Sequence, residues 1–430
     1  MAEPPVDVRR GAIRMAGRAG WALGDQAISS FTNFALGVLI ARSVSAEEFG
    51  AFSLAFATYL IILNVARAIG TQPLVIRYSA VDPADWRRGA AAATGTMLTS
   101  GIVGGLGCVA VGLVLGPPVG TTFIALGVVL PALLVQDAWR FVFFAGSRDR
   151  DAVLTDGVWA ATLIAGLVLL SAVTRPDAPA AVVVWGLSAI VGAVVGALRA
   201  GVVPHPERTL GWFREHRDLV GRYAAEVLVG LGASQAAIYV VGATAGLVEA
   251  GSIRAAQLLL GPMFVIIQAV NLIAVPEGVR IRLRMPGRFR LAIEMLSALL
   301  ATVIGAWVAF LWLLPAAVGE ALLGESWAAA RIVLLPLGLS LIAQGVSGGA
   351  LVGLRVLADA RSSLRARLVD SAFGFVFGVG GGLIGGALGA SWGFAIGAAG
   401  GAAVFTAVFL RSERRHRGDV MTPEPSAVAT

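Results

Sequence analysis

The chain has 430 residues, 57% hydrophobic and 14% charged, with a formal net charge of +7 and a mean hydropathy of +0.82. Soluble domains carry about 25% charged residues, so a soluble globular class is excluded. Apolar runs of about 20 residues recur along the chain, the length that crosses a hydrocarbon core of roughly 30 Å. Lipid admits only helices and closed barrels, and a barrel would show segments of about 10 residues with alternating polarity. These runs are continuous, which predicts an all-α polytopic membrane protein with about 12 transmembrane helices in two six-helix lobes.

The expected elements, in chain order, begin with a cytoplasmic N-terminal arm over 1–20. Its arginines 9, 10, 14 and 18 precede an apolar stretch that opens at Trp21. That stretch is longer than the 7–15-residue core of a signal peptide, so it reads as an uncleaved first span. The N-lobe covers 21–200, with spans at 21–41, 49–70, 89–115, 121–145, 153–173 and 179–199. A cytoplasmic linker covers 201–222, where Leu210–Arg222 could lie as a helix on the membrane surface. The C-lobe covers 223–410, with spans at 223–244, 251–275, 291–314, 328–353, 369–386 and 389–410. The last two are divided at Gly385–Gly389, because the charge-free run there is twice a membrane thickness. The tail 411–430, with four arginines and two prolines, reads as disordered.

All 33 strongly basic side chains are arginine, and most fall in the arm, in alternate gaps or in the tail. Short positive loops stay in the cytoplasm, which sets both termini on the cytoplasmic side. The basicity therefore calls for no nucleic-acid partner. Arg42, Arg175 and Arg331 fall on the outer side, and Arg67 and Arg254 lie within apolar stretches. Cys108 is alone, which excludes a disulfide framework or a thiol metal cluster. The three histidines, His205, His216 and His416, lie in expected cytoplasmic segments. With no metal-site, Walker, GxSxG, HExxH or CxxC motif, neither enzymatic chemistry nor a bound cofactor is expected. ATP-driven pumping by the chain itself is not expected.

The two halves resemble each other. An offset of 201 pairs Glu48 with Glu249, Gly50 with Gly251, Ala55 with Ala256 and Asp25 with Glu226. Two residues more pair Pro73 with Pro276 and Arg77 with Arg280. Repeated halves are the usual construction of secondary transporters, with the substrate path at their interface.

The polar residues within spans are candidates for chemistry. Arg67 has Asn64 one turn before it, and Arg254 has Gln257 at i+3, so each arginine belongs to a polar stripe. A charge in a span costs at least roughly 2.5 kcal/mol and generally faces an interior cavity. Two readings stand: both arginines snorkel to a nearby interface, or both face a central cleft and hold an anionic group, a task suited to guanidinium. Span 1 carries Asp25, Ser29, Thr32 and Asn33 on one side, and its counterpart carries Glu226, Ser234 and Gln235. Asp25 and Glu226 either pair with inner arginines such as Arg18 and Arg222, or serve gating or ion coupling. Gln136–Asp137 with Arg140 reads as a local ion pair. The GxxxG spacings Gly101–Gly105 and Gly374–Gly378 suit close helix packing.

At residues 28–55, ISSFTNFALGVLIARSVSAEEFGAFSLA, the chain resembles the opening of the polysaccharide-export flippases of the MOP (multidrug/oligosaccharidyl-lipid/polysaccharide) superfamily, relatives of the MATE exporters and the lipid II flippases. Asn33, Ala41–Arg42, Glu48, Phe49 and Gly50 carry the resemblance. So do Gly389, Gly393 and Gly397 of the final span, GALGASWGFAIGAAGGAAVF. The resemblance implies a MATE/MOP-like fold and alternating access between inward- and outward-open states. It further implies a lipid-linked, polyprenyl-diphosphate oligosaccharide as cargo, for cell-surface polysaccharide biosynthesis. Arg42 and Arg67 fall near the family's first- and second-span cations. With Arg254, Asn33, Asn64 and Gln257 they make up the implied substrate-binding set. The implied partners are membrane lipids, the glycan substrate, and glycan polymerases or glycosyltransferases. The alternatives are a drug or small-cation exporter of the same superfamily, and a membrane glycan polymerase or ligase.

Overall fold

In a computed structural model of the chain, the described residues are Gly24, 28–79 and 81–421. They are almost entirely helical and contain no strand. In order, α1 covers 28–43, α2 Ala46–Ile69, α3 Thr71–Tyr78, α4 Pro83–Val114, α5 Val119–Ala145, α6 Asp149–Val173 and α7 Ala178–Ala200. The short α8 covers Thr209–Glu215. There follow α9 Arg217–Thr244, α10 Leu247–Arg284, α11 Phe289–Trp312, α12 Ala316–Leu323, α13 Ser326–Val356 and α14 Ala360–Met421.

Nine helices among the described residues are long and apolar enough to cross a membrane, with α2–α3 and α14 each counted once. Helix α14 has non-helical backbone at Gly385 and Gly386, so it is two arms. With those arms counted separately and α1 and α9 added, each of the twelve expected spans has a helix. Gly386 has φ +58°, a conformation that glycine adopts at no steric cost, and this explains the break at that point.

The glycine-rich ending is a packing device within this hairpin. A Cβ on Gly389 would overlap the Gly381 carbonyl, one on Gly393 the Phe377 carbonyl, and one on Gly397 would come within 3.0 Å of the Phe373 carbonyl. Three glycines four residues apart thus form the seam along which the arms touch. The α4–α5 hairpin works likewise, with Gly101 against the Pro131 backbone and Gly105 against the Gly127 carbonyl.

The chain forms two compact units. The first is Met1–Gln235 with Glu320–Trp327, and the second is Ala236–Gly319 with Ala328–Thr430. In the first, α5 is central and α4, α7, α2, α3 and α6 all pack on it. Its core includes Trp139, Phe143, Leu126 and Leu130, all fully buried. Trp185 of α7 meets Tyr59 edge-on, with centroids 4.6 Å apart. In the second unit, Phe289 and Phe409 anchor a core with Leu354, Val352 and Ile293. The Trp307 indole donates to the Leu259 carbonyl at 3.0 Å.

At three places the helix bounds differ from the expected ones. Span 3 begins at Pro83, not residue 89, because Asp82 caps the helix by accepting from the Ala84 and Asp85 amides at 2.8 and 3.0 Å. A proline at the first helical position has no N–H to leave unpaired. Within the linker expected at 201–222, no single helix runs from Leu210 to Arg222. Helix α8 stops at His216 (φ −112°, ψ 15°), α9 starts at Arg217, and the segment packs within the first unit. The Trp212 side chain is buried and donates to the Ile69 carbonyl at 3.1 Å. Arg77 binds the Glu215 carbonyl and the Asp218 carboxylate. Of the tail expected to be disordered over 411–430, the part to Met421 is helical, with Ser412 donating to Asp359 at 2.7 Å; residues 422–430, like the arm expected at 1–20, lie outside the described residues.

Candidate functional site

Four ionised side chains meet inside the first unit, contributed by three helices. Arg67 of α2 binds Asp137 of α5 through two hydrogen bonds, Nε–Oδ2 at 2.8 Å and Nη2–Oδ1 at 2.5 Å. Arg140, one turn further along α5, pairs with Asp156 of α6, and Gln136 donates to the other oxygen of Asp156 at 3.0 Å. Asp137 and Asp156 are 8% and 1% exposed, so each carboxylate depends on its arginine for the hydration it has lost. The Arg67 guanidinium also lies over the Phe141 ring, 5.3 Å from its centroid. The set is electrically neutral and joins α2, α5 and α6.

This arrangement corrects the expected local pair. Asp137 and Arg140 share α5 but do not neutralise each other, because each faces a different neighbouring helix. It also decides how Arg67 is placed. The span that carries it does not end at residue 70: after a bend at Gly70 it continues as α3 to Tyr78. Arg67 therefore stands eleven residues from the helical end, where it is bound to a carboxylate of α5. Asp156 escaped the sequence reading, although a lone acid within the span 153–173 was a usable signal.

The other expected residues lie on α1, α2, α9 and α10 or outside the described residues. Arg42 is exposed at the end of α1, beside the Glu320–Trp327 segment, where a Cβ on Gly324 would lie 3.3 Å from the Arg42 Cα. Asn33 donates to the Ser29 carbonyl at 3.0 Å and Asn64 to the Leu60 carbonyl at 2.8 Å, so both amides bond within their own helices. Arg254 and Gln257 lie half-buried on α10. Asp25 lies outside the described residues, and so does the side chain of Glu226 on α9. Among the described residues no cluster of three or more His, Cys, Asp or Glu has metal-binding geometry.

The repeat pair Glu48 and Glu249 has a matched role that the sequence did not reveal. The Glu48 carboxylate accepts the amide of Ala178 at the start of α7. The Glu249 carboxylate accepts the amide of Ala387, where the second arm of α14 starts, at 2.7 Å. Each caps the N-terminus of the last span in its own half, where unpaired amides and the helix dipole favour negative charge.

No family model and no curated protein matches the chain. Solved structures do. A multidrug resistance MATE transporter of the MOP superfamily, in an inward-facing conformation, is 15% identical with a TM-score of 0.65, over 91% of this chain and 95% of that one. Lipid II flippase MurJ, in an inward closed conformation, is 11% identical with a TM-score of 0.66, over 95% and 93%. A MOP-superfamily transporter from Pyrococcus furiosus, described as having a binding pocket of reverse polarity, is 13% identical with a TM-score of 0.52, over 95% and 96%. At these identities the likeness shows the fold: an all-α multi-pass membrane protein of MATE/MurJ-like architecture.

Proposed function

We propose that the protein is a flippase that moves a polyprenyl-diphosphate-linked oligosaccharide across the bacterial plasma membrane by alternating access, for cell-surface polysaccharide biosynthesis. The observation that carries this reading over a cationic-drug exporter is the neutralisation of Asp137 and Asp156 by Arg67 and Arg140. Exporters of cations need uncompensated acidic or aromatic surfaces, whereas these two buried acids are already spent on arginine. The fold, shared with a lipid II flippase as well as with MATE exporters, is compatible with both substrates.

In the proposed mechanism, Arg42 and Arg254 hold the diphosphate. Asp137 takes two of the five guanidinium N–H donors of Arg67, and the rest contribute from a fixed position. Asn33, Asn64 and Gln257 border the path. Asp25 and Glu226 govern the inner gate or couple it to an H⁺ or Na⁺ gradient. The termini are cytoplasmic, and glycosyltransferases or a glycan polymerase supply and consume the cargo.

The test is genetic. In a host that depends on this chain, Arg42→Ala with Arg254→Ala is expected to deplete surface polysaccharide and to accumulate lipid-linked intermediates on the inner leaflet. Unchanged export in that double variant would remove the proposed binding residues. Restored resistance to cationic drugs, without any change in polysaccharide, would favour the exporter.

A further inference from the structure

Arg175 is an anomaly of topology. It is an exposed arginine in the four-residue turn that joins α6 to α7, on the side where the charge pattern leaves only Arg42, Arg175 and Arg331. Beside it begins an apolar groove of about 480 Å³ between α6 and α7, running from Thr174 down to Thr162 and walled by Leu169, Val173, Leu187 and Val191. At 1.5 Å per residue the twelve steps from Thr162 to Thr174 span about 18 Å, close to half of a hydrocarbon core of roughly 30 Å. The groove is one leaflet deep.

Its chemistry selects hydrocarbon. The three hydroxyls along it are already engaged with their own helices: Thr162 with the Val158 carbonyl at 2.9 Å, Ser188 with Trp185 at 2.7 Å and Thr174 with Leu170 at 3.1 Å. A sugar or a drug with polar groups would find no donor there. At the mouth the local acids are occupied. Asp177 accepts the Ala180 amide at 2.8 Å, and Glu48 accepts that of Ala178, so both offset the N-terminal charge of α7. Arg175, exposed in the same turn and next in sequence to Thr174 at the groove's end, is thus the cation nearest that mouth along the chain.

We infer that this groove is a phospholipid site: one acyl chain lies between α6 and α7, and the lipid phosphodiester is held by Arg175. It accounts for one of the three arginines on a side where topology disfavours them. A lipid there fills the concave face between α6 and α7, two of the helices packed on α5.

Native mass spectrometry of the full chain in detergent, with dioleoylphosphatidylglycerol or dioleoylglycerol added, tests this. The wild type is expected to retain one phosphatidylglycerol and to hold the phosphate-free lipid far more weakly. Arg175→Gln should lower phospholipid occupancy roughly tenfold, the worth of one charge-assisted hydrogen bond. Leu169→Trp fills the groove and should remove the bound lipid. Leu187→Trp does the same from the opposite wall, should the first variant unfold. Arg331→Gln, another outer arginine, should retain the lipid like the wild type. Equal retention by the wild type and Arg175→Gln, or an equal loss in Arg331→Gln, would overturn the proposal.

Discussion

Arg67 and Asp137 sit on different helices and are bound by two hydrogen bonds of 2.8 and 2.5 Å, with the carboxylate 8% exposed. Breaking such a pair from one side strands a charge that the interior cannot solvate, and measured costs run to about 3–5 kcal/mol. Arg67→Ala is therefore expected to lower the unfolding free energy by about that amount. The double change Arg67→Met, Asp137→Leu should recover most of it, because no charge is then left buried. Thermal unfolding in detergent reads both. A single variant as stable as the wild type would mean that Asp137 is solvated by some other route.

Much of the fold was legible because lipid makes composition decisive. Apolar run length gave the helices, and the glycine-rich stretch Gly385–Gly389 marked a break that the charge-free run needed, which the structure places at Gly385 and Gly386. Side-chain partnership was less legible. Asp137 and Arg140 stand one turn apart on α5, a spacing that suggests a mutual pair, yet their partners come from helices 70 and 16 residues away in sequence. Helix rotation decides that choice, and rotation follows from packing across the whole unit. Trp212 was hidden for the same reason: its neighbours suggested a surface helix, while its indole packs on Tyr78 of α3 and donates to the Ile69 carbonyl at the end of α2.

Glu48 and Glu249 cap α7 and the second arm of α14 from a distance. Loss of a capping acceptor costs about 0.5–2 kcal/mol, and Glu48→Ala and Glu249→Ala should each fall in that range. Hydrogen exchange gives the sharper reading: amides from Ala178 to Ala181 should exchange faster in Glu48→Ala alone, and those from Ala387 to Ala390 in Glu249→Ala alone. Equal protection in wild type and variants would show that the caps contribute nothing.

Trp212 fastens the connection between the halves to the first unit. It is 3% exposed, donates to Ile69 and packs on Tyr78, with ring centroids 5.4 Å apart. Truncation of a buried tryptophan to alanine costs about 3–5 kcal/mol. Trp212→Ala should accordingly expose residues 201–216 to limited proteolysis under conditions where the wild type resists.

Asp359 lies between α13 and α14, outside the spans, and the Ser412 hydroxyl holds its carboxyl below the ordinary value of 3.8, with Ser362 assisting. A depressed folded value stabilises the fold above the ordinary value, and that stability is lost as pH falls through the lower folded value. Acidification from about pH 6 to about pH 3 should therefore lower the melting temperature of the wild type more than that of Ser412→Ala, in which the hydroxyl is gone. Equal losses would indicate that the hydrogen bond does not favour the ionised form.

The central claim is tested most directly with the purified chain in liposomes that carry a polyprenyl-diphosphate oligosaccharide, by following exposure of the glycan to an enzyme added outside. The account predicts time-dependent exposure with the wild type and near-baseline exposure with Arg42→Ala, Arg254→Ala, while the Arg67→Met, Asp137→Leu protein remains folded. Exposure no faster with the wild type than in protein-free liposomes, under either an H⁺ or a Na⁺ gradient, would contradict it.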